Sequence, residues 1–421
     1  MYFQTLDDKS ECVGIYKEGV LYFDETPSDL LCTWRHSGSI KDKNVKYAYL
    51  YAQGKTLEEC CPTGLQDELR QCQNKFKAYL KSFMIAKVNM RDHCIFDLIP
   101  HDFLLKFCEI KNQITKEIIE NCEEPTNYQH LDDAHRLLHK IKNQKLNLSS
   151  QDCRHLLANT RDRQKLSELI KNYNFIDYNL FGTVTGRLTT SPGSFPMLTL
   201  KKELREIIKP NKDLFVALDY NGAEVRTLLE LCGNKQPEID IHVWNSRHLF
   251  EQDISREECK VRFFAWLYEP TSKDIETEYY DREKVLKKWY KDGHIHTPYG
   301  RQIQVEQRKA LNYLLQSTTS DRVISKAVLI DQYLQENKCH SYISHIVHDE
   351  LVLDYSDKDR AHIENIKDIF EDGYPCNLTA GKNYYDLKEL RYDLYRRSWY
   401  RCIENCGVLR RNKQLQCLCD E

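Results

Sequence analysis

The chain of 421 residues is 41% hydrophobic and 30% charged, with a formal net charge of −3. That is the composition of a soluble protein long enough for two or three packed units. No run approaches the roughly eighteen apolar residues of a spanning helix, and the start MYFQTLDDKSE lacks the basic-then-apolar pattern of an export signal. Membrane and secreted classes are excluded on this reading, and a cytoplasmic location with no membrane partner is expected.

The 17 cysteines are odd in number and follow no short regular spacing, so they read as reduced thiols and not as a disulfide scaffold. Cys402, Cys406, Cys417 and Cys419 at the tail have gaps that fit a zinc ribbon poorly. The net charge argues against a uniform basic coat, but the charge is unevenly spread. Arg70, Lys75, Lys77, Lys81, Lys87 and Arg91 stand with no acid among them, and His135, Arg136, His139, Lys140, Lys142 and Lys145 form a second cluster. Such runs are solvated helix faces or grips for phosphate backbones.

In chain order, residues 1–62 form a small β-rich unit, with VGIYKEGVLYF (13–23) reading as a hairpin around Glu18-Gly19. Pro62, Thr63 and Gly64 punctuate, and 63–172 carries helical spacing, looser around Pro100. From about 173 the texture is mixed α/β. DLFVALDY (213–220) is an apolar strand carrying Asp219 at its end, followed by a helix that Gly233 stops. SREECKVRFFAWLYEP (255–270) is a helix with a Ser255/Glu258 capping box, closed by Pro270. A further helix runs from about 308 to 335, and ISHIV and LVLDY are two strands meeting at His348-Asp349.

An unpartnered carboxylate in a sheet is expensive, yet Asp349 and Glu350 interrupt the apolar stretch ISHIVHDELVLDY (343–355). A hairpin tip accommodates them, and Asp219 repeats the device at the end of another apolar strand. Either acid alone reads as a loop cap. Were the two strands neighbours, the carboxylates would converge and repel unless cations bridged them. Paired magnesium ions about 4 Å apart clamp in-line phosphoryl displacements in this way. Arg256, Lys260, Phe264 and Tyr268 recur every four residues, a slowly winding helical stripe about 18 Å long. Its basic N-terminal end suits phosphates, and its aromatic end suits a sugar and a base.

These residues carry a resemblance. LDYNGAEVR (218–226), the RxxxKxxxFxxxY of Arg256 to Tyr268, and VHDE (347–350) resemble, in order, motifs A, B and C of family A DNA polymerases, the bacterial polymerase I family. TVTGRLTTSPGSFPML (183–198) is similar to the segment that touches the primer terminus, and DIH (240–242) to the one with a phosphate-contacting histidine. TPYGR followed by ALNYLLQS resembles a palm helix, in wording closest to phage members, and GKNYYDL (381–387) the closing segment. The resemblance covers about 175–390.

The resemblance implies an α+β, right-hand architecture with an antiparallel-sheet palm, helical fingers and a helical thumb, plus the small β-rich N-terminal unit. The expected segments are 1–62 (N-terminal unit), 63–172 (thumb), 173–227 (palm with motif A), 228–296 (fingers, motif B helix 255–269), 297–390 (palm with motif C) and 391–421 (extension). It implies a DNA polymerase without an exonuclease domain, acting in viral or phage replication in the host cytoplasm. Asp219 and Asp349, with the Tyr220 carbonyl, would hold two Mg2+ ions, for which Mn2+ can substitute. Glu350 would be a secondary acid and His348 a contact to the primer end. Arg256, Lys260 and His242 would hold the triphosphate, with Lys260 protonating pyrophosphate. Glu224 against Tyr268 would reject a ribose 2′-hydroxyl, and Phe264 would lie by the sugar. Arg187, Asn312 and Gln316, with Arg308, would contact primer–template DNA.

Three positions depart from the motifs: Glu269 stands where the family has glycine, and Gly222 and Ala223 replace larger residues, which would loosen the nascent-pair pocket. About 62 residues precede the helical region, too few for an RNase H-like exonuclease, so proofreading is expected to be absent or supplied, like processivity, by a partner in trans. The N-terminal unit reads as an exonuclease remnant, a partner dock or a brace on the thumb. The alternative function is a catalytically inactive, polymerase-like accessory or nucleic-acid-binding subunit.

Overall fold

The computed structural model describes residues 1–390 except positions 10, 41–43, 91, 152, 154–157, 251–253, 270–274 and 276. The tail cysteines, the 391–421 extension and the helix stop at Pro270 therefore lie outside the described residues. The chain divides into two compact units. One comprises Met1–Gln144, Asp177–Ser191 and Trp289–Val305, the other Lys145–Ile176, Pro192–Lys288 and the described residues from Glu306 on.

In the first unit, β1 (Phe3–Asp8), β2 (Glu11–Lys17) and β3 (Val20–Tyr22) form an antiparallel sheet in that order. Lys17 pairs with Val20 across a two-residue loop in which Glu18 and Gly19 have φ of 49° and 81°. Positive φ at both loop positions matches the turn's twist to that of the strands, as the Glu-Gly signal predicts. The helices α1 (Gln66–Ile85), α2 (His101–Asn121) and α3 (Tyr128–Lys142) follow. The sheet is tied to α2: Gln4 Nε2 donates to Thr115 Oγ1 at 3.0 Å, and the Tyr16 hydroxyl donates to Glu109.

The second basic cluster is partly covered, with His135, Arg136, His139 and Lys142 half-buried and Lys140 and Lys145 exposed. His135 packs against the rings of His36, Tyr47 and Tyr49, and Arg136 donates to Asp132 at 2.9 Å while lying over Tyr47. Helix α3 turns His135 and Arg136 toward the N-terminal segment, so the surface patch expected there is reduced to Lys140, Lys145 and the half-exposed Lys142, which pairs with Asp177 at 2.9 Å. The 13 described cysteines are all free thiols, as expected.

In the second unit a five-stranded antiparallel sheet runs β5-β6-β4-β7-β8, built from β4 (Leu214–Tyr220), β5 (Tyr342–Val347), β6 (Glu350–Tyr355), β7 (Cys376–Gly381) and β8 (Lys388–Glu389). Residues 214–218 of β4 are all buried, which is why this central strand reads as a continuous apolar run and does not alternate. Among the helices of this unit are α4 (Ala223–Leu231), α5 (Ile241–His248), α6 (Arg256–Tyr268), α7 (Gln307–Glu336) and α8 (Ile363–Glu371). Helices α7 and α8 pack on the sheet and on each other, α4 packs on α7, and α5 packs on α6. Among the described residues no helix is long and apolar enough to cross a membrane.

Candidate active site

Strands β5 and β6 are joined by His348 and Asp349 alone, with Val347 paired to Glu350. His348 takes φ of 57°, a left-handed conformation that histidine tolerates better than most residues, and it is exposed. Strand β6 also pairs with β4, and in that register Asp219 lies directly opposite Glu350. Opposed residues in an antiparallel pair project to the same face, where like charges repel. Asp349 adjoins them at the tip. Burial, then Asp349 and Glu350, push the Asp219 carboxyl up to about 7. Burial, with a contribution from Asp349, pushes Glu350 up to about 7 as well, against the pull of Arg205 and a 3.4 Å hydrogen bond from the Tyr384 hydroxyl.

Three carboxylates at one strand end form a hard-oxygen donor set, and the Oε1 of Glu350 is buried with no hydrogen-bond partner. Both features fit a divalent cation. Among the described residues no group of three or more His, Cys, Asp or Glu side chains is placed to hold a metal ion by itself. A cation here would need further oxygens, such as a backbone carbonyl, water or substrate phosphates, the kind of ligand magnesium commonly keeps. The Tyr220 side chain is committed to the core, its hydroxyl donating to the Phe370 carbonyl at 2.5 Å, so only its backbone could serve a cation.

Helix α6 begins as expected, with Ser255 Oγ accepting from the Glu258 N–H at 3.2 Å. Cys259, Phe263, Trp266 and Leu267 are buried, which leaves Arg256, Lys260 and Tyr268 exposed and Phe264 half-buried along the stripe. The Phe264 ring stacks on Tyr268 at 5.8 Å and stands 5.9 Å from the His242 ring. The Tyr268 hydroxyl donates to Glu224, on the first turn of α4, so the expected pair meets. His242 is only 2% exposed, its Nδ1 has no hydrogen-bond partner, and burial with the nearby Arg256 and Lys260 pushes its pKa down to about 4.

Gly222 does not loosen this region. It takes φ of 70° at the start of α4, and a Cβ there would stand 2.4 Å from Ile241 Cγ2, so the space a larger residue would use is already filled. At the far end of α6, Glu269 is held, because Arg282 donates to its carbonyl at 3.0 Å and lies over the Trp266 ring at 4.2 Å. Arg308, Asn312 and Gln316 recur every four residues on α7 and so share a face. The Oδ1 of Asn312 is buried without a partner, and Arg308 pairs with Glu306 at 2.7 Å. Arg187 belongs to the first unit, where its carbonyl accepts from Thr183 Oγ1 at 2.9 Å. The Arg301 guanidinium lies against the adjacent Gly186, where a Cβ would be 2.4 Å from its Cζ.

Sequence reasoning did not single out Asp240 and Asn221. Asp240 Oδ1 accepts from the N–H groups of His242 and Val243 at 2.9 and 3.0 Å, while its Oδ2 accepts from Asn221 Nδ2 at 2.6 Å and from Arg256 Nε and Nη2 at 3.1 and 2.9 Å. The available signal was its place as an aspartate just ahead of a helix.

No protein-family model matches the chain. It is 24% identical to DNA polymerase I of Aquifex aeolicus over 266 residues, which are 52% of this chain and 45% of that protein. It is 25% identical to the thermostable DNA polymerase I of Thermus aquaticus over 252 residues, 47% of this chain and 30% of that protein. The chain thus matches less than half the length of either relative. Among solved structures it is similar to the polymerase domain of Pol1 from M. smegmatis, in complex with DNA primer-template and dNTP. The TM-score is 0.58 at 12% identity, covering 91% of this chain and 95% of that one.

Proposed function

We propose that this chain, which carries a family A polymerase domain, is a template-directed DNA polymerase joining deoxynucleoside triphosphates to a primer 3′-hydroxyl with release of pyrophosphate. The observation that carries the reading is the acidic strand end, with Asp219 opposite Glu350 and Asp349 at the adjoining tip. Asp219, Asp349 and the Tyr220 carbonyl would hold two Mg2+ ions, which when bound activate the 3′-hydroxyl and neutralise the leaving pyrophosphate. Glu350 keeps further negative charge beside them. Arg256 and Lys260, exposed at the N-terminal half of α6, bind the triphosphate, and Lys260 gives a proton to the pyrophosphate. His242 joins them once its unpartnered Nδ1 side is uncovered.

Glu224, held by Tyr268, closes the space beside the sugar's C2′, and Phe264 packs near the sugar. The α7 stripe of Arg308, Asn312 and Gln316 meets the minor groove, whose acceptors all four base pairs present alike. Arg187, in the first unit, is a separate contact to primer–template DNA. His348, exposed at the hairpin tip, meets the primer end. The phage setting rests on the wording of TPYGR and ALNYLLQS.

Primer extension on a DNA template, with each nucleotide omitted in turn, tests the function. Synthesis should need Mg2+ or Mn2+ and should stop wherever the template calls for the missing nucleotide. No extension on any template, or extension indifferent to the omission, would overturn it.

A further inference from the structure

Asp240 belongs to no motif that assigns it a role, yet it joins three elements of the second unit. Its two oxygens accept five hydrogen bonds, two at Oδ1 and three at Oδ2, more than the roughly four lone-pair sites of a carboxylate, so none is left for a further donor. Two come from the first N–H groups of α5, the helix that carries His242. One comes from Asn221, in the turn after Asp219, and Asn221 Oδ1 in turn accepts from the Ile241 N–H at 2.9 Å. Two come from one edge of the Arg256 guanidinium, at the start of α6.

The arrangement is anchored from beneath. Arg226 is fully buried and donates to the carbonyls of Asn221, Pro237 and Ile239 at 2.7, 3.0 and 2.8 Å. This pins both the turn and the loop that delivers Asp240. The remaining Arg256 edge, Nη1, donates to Glu257 Oε1 at 2.6 Å. The Glu257 side chain is 76% exposed, against 22% for Asp240. An exposed ion pair contributes little, and a phosphate can displace it, whereas the shielded and multiply bonded Asp240 contact is the one that persists.

We propose that Asp240 is the positioning residue of the triphosphate site, fixing one edge of Arg256 and the start of α5 so that the Nη1 edge of Arg256 is presented to phosphate, with Glu257 as a placeholder. The proposal deepens the polymerase reading and rests on it for the ligand. The electrostatics agree: although burial opposes it, hydrogen bonds from Arg256 and Asn221 hold the Asp240 carboxyl down to about 2, so it stays ionised at any working pH.

Asp240→Asn separates the two tasks, because asparagine still caps a helix but offers Arg256 no charge. Calorimetric titration of the full chain with dATP and Mg2+ should give binding about tenfold weaker for Asp240→Asn, with melting temperature near that of the parent. Arg256→Ala should weaken binding at least as much, and adding Asp240→Asn to it should cost no more than about twofold further. In primer extension the Asp240→Asn loss should fall on KM for the nucleotide, with kcat within about threefold, and Asp240→Glu should restore part of it. Glu257→Gln should leave binding unchanged or tighter.

Parent-like binding by Asp240→Asn, or an undiminished loss in the Arg256→Ala background, would overturn the positioning role while leaving the polymerase reading intact. Failure of the parent chain to bind dATP would overturn the polymerase reading and this inference together. Should Asp240→Asn not fold, Asp240→Ser, another helix-capping residue without charge, is held to the same outcomes.

Discussion

Asp219 and Asp240 lie at the two ends of one strand–helix–loop passage, and their surroundings treat the same side chain in opposite ways. Asp219 faces Glu350 across a ladder and has Asp349 beside it, and its carboxyl is pushed up to about 7. Asp240 faces an arginine, an asparagine and two backbone N–H groups, and its carboxyl is held down to about 2. A carboxylate saturated with donors is finished and can only position its neighbours. One surrounded by other acids is unfinished, and its environment makes sense once a cation is supplied from outside.

The largest test of that contrast removes the unfinished acids. Asp219→Ala or Asp349→Ala should lower primer extension by about a thousandfold or more, since metal-assisted charge stabilisation contributes several kcal/mol to the transition state. Primer–template binding, measured separately, should be largely retained. Residual synthesis near the parent level would mean that these acids are structural, like Asp240, and would erase the contrast.

Next in size is the proposed gate. Glu224 accepts a hydrogen bond from the Tyr268 hydroxyl and, as the proposed barrier beside the sugar, is not a metal ligand. Glu224→Ala should admit ribonucleotides, shrinking the deoxy/ribo ratio of kcat/KM by about 10- to 200-fold, the discrimination a steric pocket achieves. An unchanged ratio removes Glu224 from the sugar site.

Phe264 offers a comparable or smaller effect. Its ring stacks on Tyr268 and lies one turn beyond Lys260. A dideoxynucleotide lacks the 3′-hydroxyl that can bond internally to its own triphosphate, and a phenyl ring cannot replace that group. Phe264→Tyr restores one hydrogen bond of about 1–3 kcal/mol, or roughly 5- to 150-fold in acceptance of terminators. Equal termination by the two enzymes in a competition assay would show that Phe264 does not face the sugar.

What was legible in the sequence was whatever a local pattern encodes. Acids breaking apolar runs at 219 and 349, the four-residue spacing from Arg256 to Tyr268, the Ser255 cap and the Glu18-Gly19 turn are statements about neighbours in the chain, and each has its expected local geometry. Contacts between distant segments were not legible. The basic cluster on α3 looked like surface because nothing in it says that His36 and Tyr47 cover that side. Gly222 read as empty space because Ile241, which fills it, arrives from another element. Asp240 collects its donors from three separate places and so left only a helix-capping signal.

The smallest expected effect is thermodynamic, and it probes the contrast without any turnover. Asp219 has a folded-state pKa of about 7 against an ordinary value of 3.8, so between those limits the folded chain holds a proton that the unfolded chain has lost. Stability falls with pH wherever the folded state binds more protons, so this group's contribution is fully present below about pH 4 and is lost as pH rises through 7. Glu350, raised from 4.5 to about 7, acts in the same direction. Without metal, Asp219→Asn should therefore melt above the parent by a margin that grows from pH 5 to pH 8. The margin should reach several degrees and stay within about ten, since a rise from 3.8 to about 7 is worth roughly 4 kcal/mol at most and 1 kcal/mol corresponds to about 2–4 °C in a domain of 150–250 residues. Millimolar Mg2+ binds the ionised acids of the folded chain, so it should raise the parent's melting temperature at pH 8, do little at pH 5, and leave Asp219→Asn nearly unmoved. The opposite holds at Asp240, whose ionised form is the stabilised one: Asp240→Asn should cost the same small amount, a few degrees at most, at pH 5 and pH 8, with or without Mg2+. Should metal shift both variants alike, the cation is not held by Asp219, and the difference between the two aspartates is one of burial alone.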